Sequence, residues 1–268
     1  MTQRLDMSGY RPFREMATTC RCRPIKPKEV VWLDYESPPF IKGQFRSRQI
    51  GRADVPRVAE LWRHAYPEVY GSPHEFILFP EEYESLVALK DTWEEDCRRK
   101  RFCIPVVEEI ATGRLVGAAL LAKEDKNLQV EITLFGVHPD YRERGITYGL
   151  GFTTSRMIEK SGAEYLTTFL ETWHDITQKA VIRGGWRIAG IFPGNFTRWK
   201  GGQQEYRGCA VHCYRYVGEA EEYATRPEEW TLAPEVRELW ECLERINRKI
   251  QEKSRGPDRE AIRKLLFE

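Results

Sequence analysis

Residues 131–162, EITLFGVHPDYRERGITYGLGFTTSRMIEKSG, decide how the chain is read. The stretch opens as an alternating apolar run and breaks at His138-Pro139. It passes Arg142, Arg144 and a lone Gly145, then turns amphipathic for about four turns. The pattern predicts a strand, a short loop and a helix, with Ser161-Gly162 as the C-terminal stop. A loop that runs into a helix N-terminus presents free backbone N–H groups, and the helix dipole favours negative charge there. Arg142 and Arg144 add charge-assisted donors, and Gly145 lets the backbone approach a ligand without a Cβ in the way. These features predict a site for a pyrophosphate or another multiply charged group.

Working outward, RQIGRADVPRVAELWRHAYPEV (48–69) reads as a short strand near 46–50 and then a helix. Asp54 is its expected N-cap, Pro56 falls in the first turn, and Val58, Leu61, Trp62 and Ala65 form the apolar stripe. Residues 80–99 read as one or two further helices, and 101–125 as a hairpin joined through Ala111-Thr112-Gly113. The strand 127–137 leads into the opening stretch. Downstream come a strand at 164–173, a helix at 176–184 and a strand at 186–193. Pro193-Gly194-Asn195 and Gly201-Gly202 bound an expected aromatic loop with Phe192, Phe196, Trp199 and Tyr206, and 205–218 closes the sheet. Strands alternating with helices late in the chain require part of the sheet to be parallel. The expected fold is therefore α/β, a central mixed sheet flanked by helices.

The order defines a core at 46–218 between a basic N-terminal extension, 1–45, and a helical tail, 219–268. In the tail, Val236, Leu239, Trp240, Leu243, Ile246 and Ile250 share one face of a helix, expected to dock on its own domain or to make a homodimer or partner contact. The 42 Lys and Arg against 41 Asp and Glu leave +1 net charge, which gives no global footprint for nucleic acid. No apolar run approaches the roughly 18 residues of a membrane span, and no secretory leader is evident, so a cytoplasmic location is expected. Seven cysteines fit a reduced compartment. Cys20-Arg-Cys22 is too tight for a metal pair. Along a strand, Cys209 and Cys213 alternate with His212, so no metal is expected.

The element order and VHPDYRERGITYGL (137–150) resemble the GCN5-related N-acetyltransferase (GNAT) superfamily, whose loop after the fourth strand follows Arg/Gln-x-x-Gly-x-Gly/Ala. Arg142, Gly145 and Thr147 fall on that pattern, with Val137 and Pro139 on its lead-in. A second motif, Asn-x-x-Ala, then Tyr, then Gly-Phe, aligns with His174, Thr177, Val181 and Gly185-Trp186. The resemblance covers about 46–218. It implies that Arg142, Glu143, Arg144, Gly145, Ile146 and Thr147 hold the pyrophosphate of acetyl-CoA or another acyl-CoA. It further implies a backbone oxyanion donor near Phe135–Val137, and contacts from His174 and Thr177 to the same co-substrate.

For chemistry, Glu131 is expected as a general base on an apolar strand, on the same face as Thr133, Phe135 and Val137. His174 is a second acid–base candidate. Glu171 is placed to receive a cationic acceptor and Trp173 to wall its pocket, both at the strand end where open α/β sheets bind ligands. The expected activity is N-acetyl transfer, or transfer of another acyl group, to the primary amine of a small molecule by direct attack. No cysteine stands at a nucleophile position. Two departures from the pattern pull the other way: Thr147 crowds the end of the loop, and Val181 stands where the family carries its general-acid Tyr. They keep open a GNAT-fold protein that binds acyl-CoA, or docks a partner, without catalysis.

Overall fold

The computed structural model describes Gly9, residues 21–254, Lys264 and Phe267. Arg4, Arg11, Arg14 and Cys20 of the basic segment lie outside the described residues. In chain order the elements are β1 (Phe45–Gln49), α1 (Val55–Ala65), α2 (Tyr83–Leu86), β2 (Val87–Ala88), α3 (Trp93–Arg99), β3 (Phe102–Cys103), β4 (Pro105–Glu109) and β5 (Leu115–Glu124). They continue with β6 (Gln129–Val137), α4 (Ile146–Glu159), β7 (Tyr165–Glu171), α5 (Ile176–Arg183), β8 (Arg187–Gly201), β9 (Gln204–Tyr216) and α6 (Pro234–Ser254). The sheet runs β1-β4-β5-β6-β7-β9-β8, with the short β2 and β3 attached beside β5. Along this path only β6 and β7 pair in parallel. This is the mixed α/β sheet expected from the sequence.

Alternation along the strands divides the core in two. On the α4 face, Val116, Ala119, Leu121, Val130 and Ile132 pack with Ile146 and Leu150. On the α1 face, Ala118, Leu120 and Leu134 pack with Val58, Leu61 and Trp62. Two glycines permit the close approaches. A Cβ at Gly136 would fall 2.6 Å from the Trp62 ring, and one at Gly149 only 2.2 Å from the Phe40 ring.

That second contact corrects the expected N-terminal boundary. Val30, Trp32, Phe40 and Phe45 are at most 1% exposed and belong to the α4-side core. Val31 N–H donates to Ser161 (2.8 Å) and Trp32 N–H to Cys97 (2.9 Å), so the packed unit reaches back to residue 30. Apolar residues without helical or strand periodicity carry no signal of their partner, which is why 1–45 read as an extension.

Four more expectations change. Asp54 does not cap α1 with its side chain. It accepts from Gly51 N–H at 3.0 Å and from both terminal nitrogens of Arg48 at 2.6 and 2.9 Å, and it pairs with Arg57. Residues 80–99 break into α2, β2 and α3, because Val87 and Ala88 pair with β3. The aromatic loop is instead the outer part of the β8–β9 hairpin. Between Phe192 and Phe196 three residues stand against Cys209 alone, an excess of two that bulges out, and pairing resumes from Phe196↔Gly208 to Gly201↔Gln204. Finally, α6 docks on one turn of side chains rather than on its whole stripe. Asn247 both accepts from Ile188 N–H (2.8 Å) and donates to its carbonyl (2.9 Å), which satisfies part of the β8 edge, and Ile250 is buried beside it. Val236, Leu239 and Ile246 stay exposed. Among the described residues no helix is long and apolar enough to cross a membrane.

Candidate active site

The site grows from a fork in the sheet. β6 and β7 pair only over Gln129–Ile132 and Tyr165–Thr168, and the Thr168 hydroxyl closes the fork by donating to the Ile132 carbonyl at 2.8 Å. Beyond that point β6 stays with β5 and β7 stays with β9. On the β5 side, Leu120 faces Leu134 while Leu121 faces Ile132, so Thr133 is an extra, bulged residue. His138 N–H donates to Val116 on β5 at 2.9 Å. By alternation, the N–H groups of Phe135 and Val137 turn away from β5 and into the fork.

The bulge overturns the predicted face of Glu131. Glu131 faces Ala122 and Phe135 faces Ala119, and these two partners lie on opposite sides of the sheet. Glu131 therefore shares the α1 side with Leu134 and Gly136, while Phe135 and Val137 point to the α4 side. Burial raises the Glu131 carboxyl above its ordinary range, with the Thr133 hydroxyl and the Arg101 charge acting the other way.

Two cavities meet at the fork. The larger, about 570 Å³, lies between α4 and α5 and is lined by Phe135, Thr147, Tyr148, Phe152, Val181 and Trp186 among others. The smaller, about 70 Å³, is lined by Tyr66, Thr133, Glu171, His174 and Arg198. Ile132, Phe135, Thr168 and Thr177 border both. Glu131 lines neither.

At the α4 end of the larger cavity the chain makes the turn that the opening sequence predicts. Glu143 (φ 64°) and Gly145 (φ 80°) are left-handed. A Cβ at Gly145 would also sit 3.2 Å from Ile41. No side chain caps α4, and its first turn has no acidic residue. Among the described residues, the N–H groups of 143–147 meet no acceptor. Arg142 and Arg144 are exposed, and the Arg144 guanidinium lies 4.8 Å from the Tyr141 ring centre. Free N–H groups, two arginines and a helix N-terminus fit a diphosphate. Ile146 contributes only backbone here, since its side chain is buried in the core.

On the other side of the fork, Glu171 is fully engaged. Oε1 accepts from the Tyr66 hydroxyl and from Arg198 Nε (2.8 Å), and Oε2 accepts from the Trp173 indole N–H. Arg198 is 7% exposed and sits 4.0 Å over the Phe196 ring. Trp173 is 68% exposed and lines neither cavity, so it does not wall the pocket as expected. Its ring meets His174 edge-on, and His174 Nδ1 lies 3.4 Å from the Thr177 hydroxyl. Burial, helped by the Arg198 and Arg101 charges, lowers nearby His74 to about 4. Tyr66, Thr133 and Arg198 were not anticipated. For Arg198 a signal existed in an arginine set among Phe196, Trp199 and Tyr206. No group of three or more His, Cys, Asp or Glu suited to a metal occurs among the described residues.

Residues 55–175 match the sequence model of the Acetyltransferase (GNAT) family. No curated protein sequence matches the chain. Among solved structures, it resembles the ribosomal-protein-S5-alanine acetyltransferase from Vibrio fischeri (11% identity, 69% of this chain and 96% of that one, TM-score 0.52). It also resembles yncA of Salmonella typhimurium, named as an acetyltransferase and solved with its cofactor acetyl-CoA (16%, 69% and 99%, 0.51). A variant of the SpeG spermidine N-acetyltransferase from Vibrio cholerae is similar at 13% identity (66% and 96%, 0.51). At such identities the likeness speaks for the fold, and the fold, the forked strands and the family match agree. Over residues 55–175 the chain is similar to the acetyltransferase (GNAT) family.

Proposed function

We propose that the chain is an acyl-CoA-dependent N-acyltransferase, in its simplest form moving acetyl from acetyl-CoA to the primary amine of a small molecule. The observation that carries this reading is the meeting of the two cavities at the β6–β7 fork, with the uncapped turn at one end of the larger. In this reading Arg142, Arg144 and the N–H groups of 143–147 hold the diphosphate. The co-substrate supplies an activated acyl group when bound. Phe135 and Val137 N–H groups point into the fork, where a carbonyl oxygen gathering charge needs a donor. The amine enters through the smaller pocket and attacks directly.

Glu131 is read here as a remote base, because the Thr133 hydroxyl beside its carboxyl belongs to a residue that lines the smaller pocket. Glu171 receives a cationic acceptor only by releasing Arg198, so the pair selects against a bare cation that cannot displace a guanidinium. The spermidine and ribosomal-protein enzymes named above differ in acceptor, which supports amine acetylation without choosing the amine.

Calorimetric titration with acetyl-CoA tests the reading. Wild-type protein should bind at micromolar concentration, and Arg142→Ala should weaken binding about tenfold or more, the worth of a charge-assisted hydrogen bond. An amine panel with Glu131→Gln as control would follow. No binding by folded protein overturns the proposal. Binding with no transfer to any amine favours the second reading, a non-catalytic acyl-CoA holder, for which Val181 is the specific observation.

A further inference from the structure

A thioester sulfur must gain a proton as it leaves the acyl carbon, and Val181, on the wall of the larger cavity, has none to give. Of the four residues that border both cavities, only Thr168 and Thr177 carry a donor in the side chain. The Thr168 proton is committed to the Ile132 carbonyl at 2.8 Å. The Thr177 hydroxyl has a different neighbour, His174 Nδ1 at 3.4 Å. The turn that carries this pair is fixed: the Gln178 amide donates to the carbonyls of Glu171 (3.0 Å) and His174 (2.9 Å). Thr177 and Val181 are four residues apart on α5, so they sit one turn apart on the same face.

We propose, on the acyltransferase reading above, that Thr177 is the proton donor to the departing sulfur and that His174 resupplies it. As the carbon–sulfur bond breaks, its electron pair remains on sulfur. Thr177 Oγ1 gives its proton to that sulfur and takes one from His174 Nδ1. His174, half-buried at the fork, recovers a proton from solvent, where the proton lost by the amine also goes. The departure at Val181 is in this way answered one turn earlier on the same helix.

The test reads the thiol itself and needs no acceptor. Coenzyme A bound to the protein is titrated with pH, and its thiolate is followed by ultraviolet absorbance. A donor aimed at sulfur stabilises the thiolate, so in Thr177→Val the bound thiol should ionise roughly tenfold less readily than in wild type. Thr177→Ser, which keeps the hydroxyl, should restore the wild-type curve. Affinity for coenzyme A should stay within about threefold in both variants, since one neutral hydroxyl is worth little to binding. Unchanged thiol ionisation in Thr177→Val, with binding intact, overturns the assignment of Thr177 and leaves the acyltransferase reading standing. A folded wild-type protein that does not bind coenzyme A at all overturns both.

Discussion

β5 and β8 belong to one sheet and are opposite in character. Nine of the ten residues of β5 are buried, whereas β8, with fifteen residues, buries only Arg198. Their helices repeat the contrast: α4 buries seven residues and α5 none. The half of the sheet from β1 to β6 is sealed by two apolar cores. The half from β7 to β8 adds Leu166, Leu170, Trp186 and Cys213 to the α4-side core, and its outer part is tied by polar links such as Arg198–Glu171, Arg187–Glu221 and Asn247 on Ile188. The fork lies on the border between them. A rigid wall on one side can fix a co-substrate, while the more loosely held side can adjust to an acceptor.

The contrast should show most in the charged groups. Arg48, Asp54 and Glu108 form a partly buried network in the first half, with side chains 8–15% exposed. Burial acts to raise the Asp54 carboxyl, but the bonds from Arg48 and Gly51 and the charge of Arg57 outweigh it and hold it at about 2. Removing one partner of such a network leaves an uncompensated charge, so Asp54→Asn should cost about 3 kcal/mol in urea unfolding near neutral pH. The Asp54 contribution is present above its unfolded value of about 3.9 and fades as pH falls through about 2. In the second half, Glu221→Ala removes the partner of Arg187 at a site where Glu221 is 55% exposed. Its cost should stay below about 1 kcal/mol. Equal losses from the two variants would erase the distinction between the halves.

Two glycines on α4 sharpen it further. Gly149 meets the buried Phe40 ring, while a Cβ at Gly151 has nothing within 4 Å. Gly149→Ala should destabilise by about 1–3 kcal/mol through overpacking. Gly151→Ala should stabilise by about 0.5–1 kcal/mol, because alanine suits a helix interior better than glycine. Thermal melts of the two variants would check the signs. A neutral Gly149→Ala would mean that Phe40 yields, and that residues 30–45 are less a part of the core than their burial indicates.

Local signals carried much of this architecture. The alternation of 129–137, the turn at Arg142–Gly145 and the helix beyond it were legible because each depends on near neighbours in the chain. The element order then made the parallel β6–β7 pair necessary. What failed were features set by distant partners. Nothing in 30–45 says that Phe40 will meet Gly149. One extra residue at Thr133 reverses every face that follows it, and alternation cannot reveal a bulge that depends on the pairing strand. Arg198 and Tyr66 reach Glu171 from separate parts of the chain, and Glu171 alone in sequence looks free to bind a cation.

The smallest effect concerns Glu131, which stands just below the fork. Burial raises its carboxyl, and Thr133 and Arg101 offset only part of that rise. A raised value in the fold means that stability is fully present below the unfolded value of about 4.3 and is lost as pH rises through the folded one. Glu131→Gln removes the titrating group and with it this loss. The variant should match wild type near pH 4, gain on it as pH rises through the folded value, and hold a constant advantage above it. Urea midpoints at steps from pH 4 to 8 would trace the curve. A variant less stable than wild type at pH 8 would mean that the fold holds Glu131 as an anion, in the manner of Asp54. It would then be a structural carboxylate of the rigid half and not a base whose carboxyl burial has raised.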